Sequence, residues 1–299
     1  MRALLRPRRV ALLLMLAACA SWAQTSSTGR VNIESIDWLT AHEPATTERQ
    51  RNERLNDMLV AFMRAQWPEV QHRLVQVNPR RGMQMLTAGE TVCLPALVRT
   101  PERETQAYFS NAVLSPPPQL IVRRDKLSAL PRNAAGEVDL LKLIADPTLH
   151  GGLIEGRSYG TTLDALLARK PANGPAPMLY SGGDFGSKLL PMMALGRVDY
   201  TIEYELVLNT TDFDTKLTGT LQSVPIQGAG DLVVAGVACP RNPWGLAAIT
   251  EIDKRLGTPA GAAMLRHAEE HLMTADSRQR YAARLDAFFR ERARPSQIR

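Results

Sequence analysis

The apolar run TVCLPALV at residues 91–98 has the length and composition of a strand buried on both faces, although Pro95 weakens its second half. Toward the N-terminus, strand-like and helix-like patterns alternate. They predict strands at residues 30–39 and 70–77 and helices at residues 46–67 and 79–88. The order strand, helix, strand, helix, strand is typical of a parallel sheet with helices on its faces.

The same alternation runs a second time after three consecutive prolines at residues 116–118. It predicts strands at 119–123 (QLIVR), 151–155, 178–180, 200–208 and 231–239 (DLVVAGVAC), and helices at 138–145, 161–168, 184–195, 244–256 and 259 to about 292. We expect QLIVR and DLVVAGVAC to cross between two halves of the chain. The prediction is an α/β protein with a cleft between two lobes, each a mostly parallel sheet flanked by helices. Lobe 1 would comprise residues 30–120 plus 235–299, and lobe 2, residues 121–234, would be inserted into it.

The N-terminus has the features of an export signal. Four arginines within the first nine residues precede the apolar run VALLLMLAA at residues 10–18, which is too short to span a bilayer. Residues 21–23 (SWA) form a small-x-small cleavage site before Gln24. Residues 16–19 (LAAC) also fit a lipobox, in which Cys19 would be acylated; ordinary cleavage is slightly favoured. We predict a signal peptide at residues 1–23 and a periplasmic protein, free or lipid-anchored.

The charge balance follows from this signal. The chain has 36 basic and 30 acidic residues. Residues 1–23 contain four of the basic residues and no acidic one, which leaves 32 against 30. The basic excess thus belongs mostly to the targeting segment, and we predict no nucleic-acid partner.

Two cysteines, Cys93 and Cys239, remain after the predicted signal. In an oxidising compartment such a pair can close a disulfide, since two cysteines allow only one connectivity. The alternative is two buried thiols that never meet. Geometry decides between them.

Three short motifs occur in a defined order. Residues 100–103 (TPER) precede Phe109-Ser110 and the strand QLIVR; residues 156–162 (GRSYGTT) form a glycine-threonine turn before a helix; residues 195–199 (LGRVD) precede a strand. In this order the chain resembles the periplasmic solute-binding proteins of family 3, the amino-acid-binding receptors of ABC transporters, across roughly residues 30–290. The resemblance implies the type II periplasmic-binding-protein fold, a small-molecule solute, and a membrane permease or sensor as partner.

The resemblance also implies site residues. Arg103 would hold the ligand carboxylate through two parallel hydrogen bonds, Thr161 and Thr162 would add donors, and Asp199 would hold an ammonium. Trp38 would stack on the ligand. Each residue has a structural alternative: a solvated arginine, a helix cap, a turn carboxylate and a core aromatic.

Two departures from the family pattern argue against a free α-amino acid as ligand. The strand before TPER ends in Ala96, Leu97 and Val98, which offer no side-chain donor. The aromatic-proline ending of the first strand is loosened to WLTAHEP at residues 38–44. A larger, more apolar or differently charged solute would suit such a cleft.

The competing functional classes have weaker support. A dehydratase-like enzyme of the same fold would need a general acid, and Glu155, Glu203 and Glu205 lie near the proposed cleft without a spacing that singles one out. A third class is an accessory or signalling protein whose cleft has lost its ligand. Residues 267–271 (HAEEH) fit a zinc-protease pattern, but two histidines on a charged helix are usually solvated. We predict no cofactor, metal or catalytic residue, and a monomer.

Overall fold

The computed structural model describes residues 31–41, 54–169, 176–180, 189–204, 207 and 219–299. The predicted signal peptide with Cys19, the first part of the predicted helix 46–67, and residues 184 and 205 lie outside the described residues. The chain from Val31 to Arg299 forms one compact unit.

Five strands form the sheet of lobe 1 in the order β2-β1-β3-β10-β4. Their bounds are Ser35–Thr40 (β1), Gln71–Gln76 (β2), Val92–Val98 (β3), Ala107–Ser115 (β4) and Val233–Pro240 (β10). β1 runs parallel to β2 and β3, whereas β10 is antiparallel to both β3 and β4. The sheet is therefore mostly parallel, and its one reversed strand is the one that returns from lobe 2.

Lobe 2 repeats this arrangement. Its strands are Gln119–Arg123 (β5), Gly152–Ile154 (β6), Met178–Tyr180 (β7), Tyr200–Glu203 (β8) and Leu221–Val224 (β9). β5 lies between β8 and β9 and is antiparallel to both, while β6 runs parallel to β7. A parallel bridge between Gly151 and Tyr200 connects β6 to β8. Here the reversed strand is β5, which arrives from lobe 1.

The two crossings differ from the prediction that QLIVR and DLVVAGVAC themselves pass between the lobes. QLIVR belongs wholly to the sheet of lobe 2, and β10 belongs to the sheet of lobe 1. The chain crosses at residues 116–118 and again at residues 225–232, outside the named strands. Proline has no backbone N–H for a ladder, so the three prolines interrupt the strand between β4 and β5.

The helices follow the predicted periodicity, apart from a short helix at Pro101–Glu104 that was not predicted and one correction at the C-terminal end. They are Leu55–Gln66 (α1), Pro79–Thr87 (α2), Pro101–Glu104 (α3), Leu140–Ala145 (α4), Thr161–Leu167 (α5), Leu189–Ala194 (α6), Pro243–Leu256 (α7), Pro259–Leu272 (α8) and Ala275–Arg292 (α9). The single helix predicted from residue 259 is two helices, because Thr274 caps α9 by accepting the Ser277 N–H at 3.2 Å. Among the described residues, no helix has the length and apolarity to cross a membrane.

The lobes have separate apolar cores. In lobe 1, Leu59 and Met63 of α1 and Ile249 and Ile252 of α7 pack against the sheet. In lobe 2, residues of β5, α4 and β8 pack together. Cys93 of β3 and Cys239 of β10 form a disulfide with their Cα atoms 4.4 Å apart, which confirms the predicted pair.

Candidate functional site between the lobes

Arg103 extends from lobe 1 to lobe 2. It lies on the short helix α3, where Thr100 caps the first turn by accepting the Arg103 N–H at 3.3 Å. Its Nη1 donates to the carbonyl oxygen of Val98 at 3.0 Å, at the end of β3. Its Nη2 donates to the carbonyl oxygen of Gly156 at 3.4 Å, in the loop after β6. Arg103 thus contacts the backbone of both lobes.

The Arg103 side chain is partly buried. Burial lowers the pKa of its guanidinium, while Asp164, the Tyr204 phenol and Glu102 act in the opposite direction. An arginine still remains protonated, since its ordinary pKa lies far above neutral. Within the described parts of the chain, no carboxylate forms an ion pair with Arg103.

Next to Gly156, lobe 2 contains a buried ion pair that sequence reasoning missed. Arg157 in the β6–α5 loop donates through Nη1 to Glu203 Oε1 at 3.0 Å, and its Nη2 lies 2.7 Å from Oε2. The two side chains are only 6% and 0% exposed. The rings of Tyr159 and Tyr204 lie 5.9 Å and 5.4 Å from the guanidinium carbon. Because the partners are 46 residues apart, no local spacing in the sequence signals this pair.

The same loop is held by Asp164 of α5. One carboxylate oxygen accepts the Tyr159 N–H at 2.7 Å, and the other accepts the Ser158 hydroxyl. The Tyr204 hydroxyl donates to the Ser158 carbonyl at 3.1 Å. Burial raises the pKa of both Tyr159 and Tyr204 above the usual range of a phenol, so both remain neutral. These bonds fix the loop that presents Arg157 and Gly156.

Thr161 and Thr162 lie at the start of α5 and are exposed. They line a groove of about 290 Å³ between this loop and the two crossings, together with Pro117, Asp231 and Val233. Arg103 is not among the residues that line this groove. The threonines therefore lie on the side of the loop that faces the two crossings, and we call this groove the hinge groove. Arg103 contacts the same loop at Gly156.

Asp199, which the resemblance implies as the holder of an ammonium, is buried and has partners within lobe 2. It precedes β8, at the opposite end of that strand from Glu203. Its Oδ2 accepts the backbone N–H of His150 at 2.9 Å, and Lys126 Nζ lies 3.6 Å from Oδ1. The carboxylate thus anchors the loop before β6. The G-x-x-D pattern at residues 196–199 marks a structural position.

Trp38 lies in the core of lobe 1, with 0% of its surface exposed. Its indole N–H donates to Nδ1 of His72 at 3.0 Å. A side chain with no exposed surface has no face to stack on a solute. The structure therefore corrects the predicted stacking role and agrees with the core alternative.

The candidate acids and histidines of the other classes have structural partners. Glu155 lies 3.1 Å from Arg80 of α2, across the two lobes. On α8, Glu270 pairs with Arg266 at 2.7 Å rather than with the exposed His267 and His271. Within the described ranges, no three His, Cys, Asp or Glu residues cluster as metal ligands.

Comparison with known proteins gives the fold. No family model matches this sequence, and no curated protein shows significant sequence similarity to it. Among solved structures, the chain is similar to one from work on glutathione import via GshT and the cystine ABC importer TcyBC of Streptococcus mutans. There the TM-score is 0.57 at 12% identity, over 81% of this chain and 95% of that chain.

Two further structures are similar. The solute receptor for L-cysteine of Neisseria gonorrhoeae gives a TM-score of 0.56 at 12% identity, over 84% of this chain and 92% of that one. The VFT2 domain of BvgS of Bordetella pertussis gives a TM-score of 0.51 at 15% identity, over 80% of this chain and 92% of that one. At these identities the likeness concerns the backbone alone. Together with the two sheets, each with one reversed strand from the other lobe, it shows that the chain has the two-lobed type II periplasmic-binding-protein fold.

Proposed function

We propose that the protein captures a small carboxylate-bearing solute between its two lobes, with Arg103 as the anchor of the carboxylate. The observation that carries this proposal is the position of Arg103. Its guanidinium contacts backbone carbonyls of both lobes, at Val98 and Gly156, and pairs with no acid among the described residues. An arginine in that setting can offer its remaining N–H groups to a ligand carboxylate as two parallel bonds.

The partial burial of Arg103 supports this proposal. Electrostatic attraction between a guanidinium and a carboxylate grows as water is excluded. A solute between the lobes would also add contacts to both, and so would favour the closed arrangement. The similar solved structures include receptors for L-cysteine and parts of import systems, which agrees with such a role.

Binding of small carboxylates to the purified protein tests the proposal. A ligand that binds only the folded state raises the melting temperature, and calorimetry then gives the affinity. We expect Arg103→Ala to weaken binding roughly 30-fold or more, because it removes the partner of a desolvated carboxylate. Arg103→Lys keeps the charge but loses the planar fork, so it should restore only part of the affinity.

Arg280→Ala is the matched control, because Arg280 forms an exposed pair with Asp276 within α9. It should bind like the wild type. No response of the wild type to any carboxylate, or equal affinity of the Arg103→Ala variant, would overturn the proposal.

Periplasmic location is part of the same proposal. The sequence of residues 1–23 supports export, and the Cys93–Cys239 disulfide suits an oxidising compartment. Fractionation should find the protein in the periplasm, and the mass of its N-terminal peptide should show Gln24 or an acylated Cys19. An intact N-terminus in the cytoplasmic fraction would contradict this.

Import and sensing make different predictions. If the protein serves a permease, deleting its gene should abolish high-affinity uptake of the radiolabelled solute. If it serves a sensor, uptake should persist and only the transcriptional response should disappear. The enzyme reading has less support, because Glu155 and Glu203 are both held in ion pairs. Turnover of prephenate or arogenate by the purified protein would reverse that judgement.

A further inference from the structure

In the part of lobe 2 that the structure describes, the acids on and next to the β6–α5 loop already have partners within the protein. Glu203 is fully buried, and both of its oxygens accept from Arg157. Its Oε2 also accepts the Tyr204 N–H at 3.2 Å. A carboxylate with a bidentate guanidinium partner and a backbone donor has little remaining capacity for an ammonium.

The next two acids are engaged as well. Asp164 binds the Tyr159 N–H with one oxygen and the Ser158 hydroxyl with the other. Glu155 is paired with Arg80 across the lobes at 3.1 Å. These bonds hold the β6–α5 loop in place, so a ligand that recruited either acid would have to break them.

Two other acids near the cleft are exposed. Glu102 lies beside Arg103 on α3, and Asp231 lies at the edge of the hinge groove. Charges in contact with water attract an ammonium only weakly, since solvent and salt screen them. Neither can form a dry pocket for a cation.

The charge balance at the lobe boundary therefore favours an anion. Arg157 and Glu203 neutralise each other, as do Arg80 and Glu155. Arg103 keeps a positive charge at the lobe boundary without an ion-pair partner among the described residues. A carboxylate supplies the missing partner. An ammonium next to the same carboxylate would lose its hydration and meet the field of Arg103, and each buried acid of lobe 2 within the described ranges, Asp199 and Glu203, already has a cationic partner.

We infer that the solute is a carboxylic acid without a free ammonium group, such as a deaminated or N-acylated counterpart of an amino acid. This inference rests on the proposed function, because it specifies the ligand that Arg103 anchors. The Arg157–Glu203 pair then acts as a specificity device, because Arg157 occupies the carboxylate of Glu203, a buried acid that could otherwise hold an ammonium.

Matched ligand pairs test the inference on the wild-type protein. Each pair differs by the ammonium group alone: L-alanine and propionate, L-glutamate and glutarate, L-phenylalanine and 3-phenylpropionate. Calorimetry should give at least about tenfold tighter binding for the acid in every pair that binds. Equal or tighter binding of the amino acid would overturn the inference and leave the proposed function intact. Absence of binding by these six compounds, by their N-acetylated amino-acid counterparts and by every other carboxylate of the thermal-shift screen would overturn both.

Variants show which groups set the preference. Arg157→Gln removes the guanidinium partner of Glu203, so the affinity of this variant for the amino acid should rise relative to the acid by about tenfold or more. Asp231→Asn, at the exposed edge of the groove, should change that ratio less than about twofold. Circular dichroism monitors folding of the Arg157→Gln variant, and if it unfolds, the wild-type comparison still decides. An unchanged ratio in a folded Arg157→Gln variant would exclude the pair as the specificity device.

Discussion

The indole N–H of Trp38 donates to Nδ1 of His72 at 3.0 Å, with both side chains buried in lobe 1. The other ring nitrogen, Nε2, lies 3.1 Å from the carbonyl oxygen of Trp67. Since Nδ1 accepts a proton donor, Nε2 must carry the hydrogen, which fixes one neutral tautomer. A second proton on Nδ1 would break the contact with Trp38.

Lowering the pH should therefore reduce the free energy of unfolding through protonation of His72. Burial lowers the pKa of this imidazole, and the nearby Arg64 and Arg255 add to that, although the bond to Trp67 acts in the opposite direction. The folded-state pKa of His72 lies below its unfolded value of about 6.5. Neutral His72 therefore contributes its full stabilisation above about pH 6.5. This stabilisation is lost as the pH falls through the folded-state pKa. Melting temperatures from about pH 7.5 to about pH 4.5 measure the loss.

The comparison of variants isolates His72 from other titrating groups. His72→Gln should show a shallower decline toward acid pH than the wild type, because the titrating ring is gone. His150→Gln is the control, since the His150 side chain is 66% exposed. Identical pH slopes in the wild type and His72→Gln would contradict the assignment.

A buried polar network should make Asp253 important for stability. Asp253 of α7 accepts from Ser110 of β4 at 2.6 Å and from the backbone N–H of Ser296 at 2.6 Å, and pairs with Arg292 of α9 at 3.0 Å. Asp253→Asn leaves the buried Arg292 without a counter-charge. We expect a loss of roughly 3–5 kcal/mol in the free energy of unfolding, measured by urea denaturation.

Asp276→Asn is the control for this prediction. It breaks an exposed pair with Arg280 on α9 and should change stability by less than about 0.5 kcal/mol. Equal losses in the two variants would mean that the network contributes nothing beyond surface charge.

The sequence predicts the elements whose signal is local. β3 and β10 stand out as apolar runs, and α7 begins at Pro243 after the cap Asn242, one residue before its predicted start. β4 was not predicted, because AYFSNAVLS mixes polar and apolar residues. Its buried Ser110 donates its hydroxyl to Asp253 and accepts from Arg292, and these partners are 143 and 182 residues away.

In the candidate site, too, the sequence predicts local features but not contacts between residues far apart in the chain. The TPER motif points to Arg103, since a capped turn after a buried strand is a local feature. Which acid faces Arg103 depends on the strand end that each acid occupies. The sequence favoured Asp199 just before β8, whereas in the structure Glu203, at the other end of β8, pairs with Arg157 beside Gly156, the residue that Arg103 contacts. Only the sheet register distinguishes these positions.

The Cys93–Cys239 disulfide should contribute to stability, because it links neighbouring strands whose connecting segment contains all of lobe 2. Cross-linking residues 146 positions apart restricts the unfolded chain. Reduction, or Cys93→Ser with Cys239→Ser, should cost about 2–5 kcal/mol. A reductant should lower the melting temperature of the wild type and not that of the double variant. Free thiols in the untreated protein, found by alkylation and mass spectrometry, would refute the pairing.

The Arg80–Glu155 pair should favour closure over a solute, because it joins α2 of lobe 1 to the β6–α5 loop of lobe 2 at 3.1 Å. Both side chains are partly exposed, so the pair should contribute no more than about 1 kcal/mol. Arg80→Gln and Glu155→Gln should each weaken binding of a carboxylate ligand up to about fivefold, and the double variant no further. High salt should reduce the wild-type affinity toward that of the variants, since it screens exposed charges. Additive losses in the double variant would show that the two residues act separately, and not as a contact that closes the cleft.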